Sequence, residues 1–279
     1  QKVGVKELEY PVQVLDKQNK IQHTTAKVNL YVNLPHYFKG THMSRFIEVF
    51  HKYHTDISIK HFKAMLEEIR TKLEAEKSFG SISFPYFIEK EAPVSKSLGF
   101  MSYQCRYEAE VSEKDSKFFI YIEVPVTTLC PCSKAISEYG AHNQRGTVRV
   151  KLLYSSFFWI EDVIKVIEES ASGPLYSVLK RQDEKYVTEH AYDNPRFVED
   201  VVRERERRLS LRRRRPPDEA LALAAVREDV VLEAVGVAVV LVDRPVAHVL
   251  DEVRGDEEAR RSLVGVDAPG RRNAPGIAR

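Results

Sequence analysis

A chain of 279 residues and 32.1 kDa has room for one large domain or two small ones. Apolar residues at 43% and charged residues at 30% describe a globular protein with a core and exclude collagenous, disordered and disulfide-stapled classes. A formal charge of +2 gives no electrostatic reason to expect nucleic acid or a membrane surface as partner, and the longest apolar stretch, Val235 to Val242, falls far short of the roughly 20 residues of a spanning helix.

The first residues, QKVGVKELEYP, are charged from the second position and hold no apolar signal core, so a cytoplasmic chain is expected. Because the sequence starts with Gln, residues ahead of it are expected too. Lys27 to Asn33 alternates with period two and predicts a strand. Met43, Phe46, Ile47 and Phe50 then recur at helical spacing, as do Phe62, Met65, Leu66, Ile69 and Leu73, which predicts two helices. Ser81 to Ile88, Gly99 to Val111 and Phe118 to Val126 are rich in aromatic and β-branched residues and predict an antiparallel meander. A second unit of the same kind follows, with a strand over Thr147 to Tyr154 and an amphipathic helix over Ile160 to Ser170. Asn194 is expected as the N-cap and Pro195 as a first-turn residue of a further helix running through Val201. If the second unit mirrors the first, two more strands should come next, and the sequence does not supply them in recognisable form.

After Glu204 the language of the chain changes. Residues 201–279 carry 16 Arg and no Lys, against 14 acidic residues, and contain no aromatic residue, although 27 aromatics precede them. Runs such as Arg212 to Arg215 are what a GC-rich reading frame gives when translated out of register; a real, basic and loosely ordered tail is the other reading. The expected organisation is therefore residues 1–126 as a first unit, 127–204 as a chemistry-bearing loop with the first part of a second unit, and 205–279 as an atypical segment.

Chemistry-bearing residues concentrate in Thr128 to Gly146, TLCPCSKAISEYGAHNQRG. Cys130, Pro131, Cys132, Ser133 and Lys134 form a predicted loop at a strand end, and His142 follows ten residues after the second Cys. Thiolate and imidazole are the preferred ligands of zinc and related divalent ions, and fewer than four protein ligands leave a position for water. The pair lacks the doubled C-x-x-C of structural zinc sites. Three cysteines, an odd and sparse set, suit a reducing compartment, and a disulfide between Cys130 and Cys132 would close a very tight ring. Cys105, on a predicted strand, reads as a small buried hydrophobe. His36, His51, His54, His61 and His248 read as surface or core residues.

LCPCSKAISEYGAHNQRG, with GTHMSRF at Gly40 to Phe46 and DEKYVTEHAYDNPRFVED at Asp183 to Asp200, resembles the prokaryotic GTP cyclohydrolase type IB family over roughly residues 1–204. The resemblance implies an α+β, bimodular tunnelling fold, in which antiparallel sheets carry paired helices on one face and subunits join into a homotetramer. It implies conversion of GTP and water to 7,8-dihydroneopterin triphosphate and formate, the first step of tetrahydrofolate biosynthesis, with a divalent metal (Zn, Mn or Fe) activating the water. By resemblance Cys130 and His142 are metal ligands and catalytic residues. Cys132 is catalytic beside them, Glu184 is a further metal carboxylate, and Glu199 anchors the guanine edge. GTP carries about four negative charges, so local cations are needed. Lys134, Arg145, His42 and Arg45 are the candidates, and Lys180 and Arg181 either join them or mark a helix end favoured by its dipole.

The pattern departs from the family after Glu204, where two closing strands bearing a Glu and a His should follow; the second unit is expected to lack them. Two other readings stay open. One is a catalytically impaired or assembly-only homologue, and the other is an enzyme in which a Cys of the C-P-C segment attacks substrate covalently, as in nitrile reductases of tunnelling architecture.

Overall fold

The computed structural model of the protein describes residues 2–33, 42–154, 157–197, 200–201, 203–204, 229–234 and 237–242. The chain opens with a hairpin, β1 (Lys2–Asp16) and β2 (Lys20–Asn33), followed by the helices α1 (Ser44–Tyr53) and α2 (Ile59–Lys72). A meander of β3 (Lys77–Glu91), β4 (Leu98–Ser112) and β5 (Ser116–Leu129) comes next. The short α3 (Pro131–Ile136) leads into β6 (Asn143–Leu153), and α4 (Ile160–Ser170), the two-residue β7 (Gly173–Pro174) and α5 (Arg181–Asp193) follow. The hairpin β8 (Asp229–Ala234) and β9 (Val237–Val242) ends the described chain. All strands share one antiparallel sheet in the order β1-β2-β3-β4-β5-β6-β8-β9, with β7 paired to β5. Apart from the short α3 and the two-residue β7, the order strand-strand-helix-helix-strand-strand occurs twice, on either side of the turn between β4 and β5.

Alternation sets the buried side of the sheet. Ile82, Phe84 and Tyr86 of β3, Tyr103, Cys105 and Tyr107 of β4, and Phe118, Ile120 and Ile122 of β5 are all buried. Their strand neighbours point the other way, as period two requires. Phe46, Val49 and Phe50 of α1 and Phe62, Met65, Leu66 and Ile69 of α2 close over this surface. Fully burying each such side chain stabilises the fold by about 1.5–3 kcal/mol. Gly80 admits α2 to the sheet, since a Cβ there would stand 2.8 Å from Leu66 Cδ2 and 3.0 Å from Phe62 Cζ. Phe62 and Phe118 meet edge to face, with ring centroids 5.7 Å apart, across the seam between α2 and β5.

The meander and the three helices predicted from apolar spacing, α1, α2 and α4, are found, with the meander strands extended by a few residues at each end. Four features differ from the sequence reading. The strand β1 was not foreseen, because a bulge between Val5 and Leu8 breaks its alternation; Glu7 there adopts a φ of 54° and its amide donates to Asn29 Oδ1 at 2.8 Å. The helix α5 has only Asp183 and Ala191 buried, so no apolar stripe announces it. Asn194 is the C-cap of α5 rather than the N-cap of a later helix: its amide donates to His190 O at 3.1 Å, and its side chain turns back to the carbonyls of Ala171 and Ser172. The expected loss of two closing strands is also corrected, since β8 pairs with β6 and β9 with β8. These strands have only six residues each, and β9 lies in the apolar stretch Val235 to Val242. Helical backbone recurs at Asp200 and Val201. None of the described helices is long and apolar enough to cross a membrane.

Candidate active site at the end of the central strands

The ladder between β5 and β6 ends at the pair Leu129 and Asn143. One step further, Cys130 and His142 face each other, and the Cys130 amide donates to His142 O at 3.3 Å. Residues directly opposite in an antiparallel pair share a face, with Cβ atoms about 4.5–5.5 Å apart. A sulfur and a ring nitrogen at that spacing can reach one ion at about 2.0–2.3 Å from each. The segment read as a loop after Cys130 is a short helix: Cys130 is the N-cap of α3, Pro131 its first residue, and Cys130 Sγ takes only a 3.5 Å contact from Ser133 N. Pro fits there because its missing N–H is an orphan of the first turn in any case. The far end of the loop is held by Ser133 Oγ, which accepts from His142 N at 3.0 Å. Cys130 is half-buried, whereas Cys132 and His142 are exposed.

The chemistry of the donor set fits a soft-to-borderline divalent ion, since the register sets a thiol-bearing and an imidazole-bearing residue opposite each other. Among the described residues, no three of His, Cys, Asp and Glu come close enough to hold one ion. Glu184, exposed in the first turn of α5, is therefore not joined to the pair as a third ligand there. Glu199 lies outside the described residues.

The other predicted residues are placed as follows. Lys134 Nζ donates to Tyr192 O at 2.5 Å and lies 4.0 Å from the Tyr192 ring centroid, so it ties α3 to the last turn of α5. Arg145 is exposed on β6 opposite Thr127. His42 and Arg45 begin α1, and Arg45 Nη1 donates to Lys72 O at 3.2 Å, capping α2. Lys180 and Arg181 precede and open α5, which is the end where a helix dipole disfavours cations, so the dipole reading of that pair is overturned. Cys105 is buried among apolar side chains, and burial pushes its thiol well up.

Beside Asn143 a cavity of about 590 Å³ opens between the end of β5, the last turn of α4, β7 and α5, lined by Thr127, Lys165, Glu168, Tyr176, His190 and Arg196 among others. One wall is an ionic knot. Glu168 accepts from Lys90 Nζ at 2.8 and 3.0 Å and from the Tyr103 hydroxyl at 2.8 Å, while Lys90 also donates to Leu175 O at 2.9 Å. Burial, and then the Glu168 charge, push the Tyr103 phenol well up. Another wall is fixed by Asp183, fully buried, whose carboxylate accepts from Val94 N, Ser95 N, Ser95 Oγ and Lys180 N at 2.6–2.9 Å. Burial works to raise its pKa, but the hydrogen bonds from Ser95, Lys180 and Val94 outweigh it and hold the carboxyl well below the usual range. Sequence reasoning missed these wall residues, because Glu168 and Lys90 lie 78 positions apart and neither sits in a motif.

The sequence model described as type I GTP cyclohydrolase FolE2 matches residues 1–216 of this chain. The chain belongs to that family. Cys130, His142, Glu184 and the whole cavity lining fall within the matched residues, and residues 217–279 lie beyond them. Similar relatives include the GTP cyclohydrolase FolE2 of Syntrophus aciditrophicus, 55% identical over 75% of this chain and 82% of the relative. That of Thermosipho africanus is 53% identical over 72% of this chain and 78% of the relative. Among solved structures, the urate oxidase of Bacillus sp. TB-90 aligns with a TM-score of 0.48 and 10% identity, covering 88% of this chain and 96% of the other.

Proposed function

We propose that this chain is a metal-dependent GTP cyclohydrolase that converts GTP and water to 7,8-dihydroneopterin triphosphate and formate at the head of the folate pathway. The observation that carries this reading is the cross-strand pairing of Cys130 with His142 inside a chain of this family. Cys130 and His142 would hold the ion, which when bound would supply an electrophile that lowers the pKa of water to near neutrality. Cys132, a free and exposed thiol two residues on, is assigned the movement of a proton beside them in this reading. The purine enters the cavity next to Asn143, with Glu199 as the carboxylate acceptor for the guanine N–H edge; such an acceptor reads donors that adenine does not present. Arg145 and Lys134 would supply positive charge for the triphosphate, and Glu184, exposed in the first turn of α5, is the further carboxylate that this reading assigns to the ion, one that would have to move to join the pair.

A bimodular tunnelling fold belongs to the same reading, supported by the repeated strand-strand-helix-helix-strand-strand order. So does assembly into a homotetramer: Ile136 and Tyr139, beside the site, are 87% and 94% exposed, and large apolar side chains so exposed fit a surface that another subunit covers. The test is direct. Full-length protein incubated with GTP and Zn²⁺ or Mn²⁺ should yield a fluorescent pterin after oxidation, chelation should abolish the product, and Cys130→Ala should not restore it at any metal concentration. Product from Cys130→Ala at the wild-type rate would refute the assignment.

A second reading has its own observation. Because residues 217–279 lie beyond the family match, and no third ligand joins the pair among the described residues, the chain fits a catalytically impaired homologue. Replacing residues 205–279 with the corresponding segment of a 55% identical relative separates the two readings: activity that appears only in the chimera supports impairment.

A further inference from the structure

The backbone leading into Cys130 is held from outside its own ladder. Ser172, fully buried between α4 and β7, donates its amide to Thr127 O at 3.1 Å, and its hydroxyl oxygen accepts from Leu129 N at 3.0 Å. The Leu129 carbonyl in turn accepts from Arg196 N at 3.1 Å. Asn194 closes the ring: its side-chain amide donates to Ala171 O at 2.9 Å and Ser172 O at 3.3 Å, and its Oδ1 accepts from Arg196 Nε at 3.0 Å. The peptide joining Leu129 to Cys130 is planar, so bonding its carbonyl to Arg196 and its N–H to His142 O fixes the orientation of that plane. The remaining freedom lies in the rotation at Leu129, and the hydroxyl of Ser172 removes it by gripping the Leu129 N–H. The N–Cα bond of Cys130 is then aimed by groups that touch neither sulfur nor imidazole, and the φ of −74° that Cys130 takes as the N-cap of α3 directs its Cα–Cβ bond from there.

We propose that Ser172 is a positioning residue for the Cys130 thiolate, acting through the backbone of Leu129. This rests on the reading of Cys130 and His142 as a metal pair. Outer partners that orient a ligand typically change metal affinity 10–100-fold when removed. Ser170 provides a matched control, since it is equally buried two residues earlier but donates its hydroxyl to Val166 O at 2.7 Å within its own helix.

The experiment compares full-length wild type, Ser172→Ala, Ser170→Ala and Cys130→Ser. Hydrogen exchange of the peptide spanning residues 127–130 is measured without metal. Cobalt(II) binding is followed by the thiolate-to-cobalt charge-transfer band and by chelator competition. Ser172→Ala should exchange faster at Leu129, bind cobalt at least tenfold more weakly and shift the band, while Ser170→Ala matches wild type in all three. Unchanged exchange in Ser172→Ala overturns the proposal. Faster exchange with an unaltered band and affinity also overturns it, by making the hydroxyl a purely structural anchor. Equal losses in Ser170→Ala overturn it as well. If wild type shows no band that Cys130→Ser removes, the metal reading falls and takes this inference with it, a result that the exchange data alone cannot mimic.

Discussion

Replacing Glu168 with leucine removes the carboxylate contacts of Lys90 in the cavity wall and leaves its ammonium with the carbonyl of Leu175 and the face of the Tyr176 ring, 4.7 Å from its centroid. The two side chains are only 15% and 13% exposed, so water does not take over from the lost partner. Breaking a buried pair from one side costs about 3–5 kcal/mol, a large share of the roughly 5–15 kcal/mol that holds a domain folded. The Tyr103 hydroxyl, 2.8 Å from Glu168 Oε1, loses its acceptor in the same change. For a chain of this size about 2–4 °C of melting temperature goes with each kcal/mol, so Glu168→Leu should melt roughly 6–20 °C below wild type. The double variant Glu168→Leu, Lys90→Met replaces both charges with apolar groups and should recover most of that loss, because a buried ion pair often adds little beyond well-packed hydrophobes. Thermal and urea unfolding of the full chain measure both. A single variant within about 1 kcal/mol of wild type, or a double variant no more stable than the single, refutes the account of this wall.

Three further outcomes are expected. Asp183 has a folded pKa held below its ordinary 3.8, so its contribution to stability is complete above that value and is lost as pH falls through the folded value; Asp183→Asn should therefore be less stable at pH 7 yet lose less on acidification, read as urea midpoints from pH 7 down to 2. Gly99→Ala should destabilise by about 1–3 kcal/mol, since a Cβ there would collide with Ser177 Oγ and stand 2.8 Å from Val178 Cγ2, lifting the segment that precedes α5 off β4; calorimetry reads it. In the native protein iodoacetamide should label Cys132 first and Cys130 next, with Cys105 reacting only after denaturation, because burial keeps its thiol protonated; mass spectrometry of timed samples gives the order.

The sheet was legible where alternation was strong and uninterrupted. Tyr103, Cys105 and Tyr107 on β4 announce a buried face without help from the rest of the chain. It was not legible at β1, where an added residue at the bulge reverses the phase that a period-two reading follows. The helix α5 escaped for another reason: it is fixed less by an apolar stripe than by Asp183, whose four partners lie on the 94–95 turn and at Lys180. In the candidate site Cys130 and His142 were visible because sulfur and imidazole cluster in one short stretch, and the ladder joins them. Ser172 gave no signal, being a small residue among small residues whose partner Leu129 is 43 positions away. The Asn-Pro step was recognised as a boundary, but its side was read wrongly, since Asn serves the end of one helix as readily as the start of another.

The position of Cys130 and His142, one rung past the end of a two-strand ladder, separates what can vary from what cannot. Residues 131–141 form a detour that starts and finishes at neighbouring points, so lengthening or shortening it should leave the two donors opposite each other. A slip of a single residue within β5 or β6, in contrast, would send one donor to the far side of the sheet. Diversification of this protein is therefore expected to concentrate in the tip of that detour, with the two flanking strands keeping a fixed count.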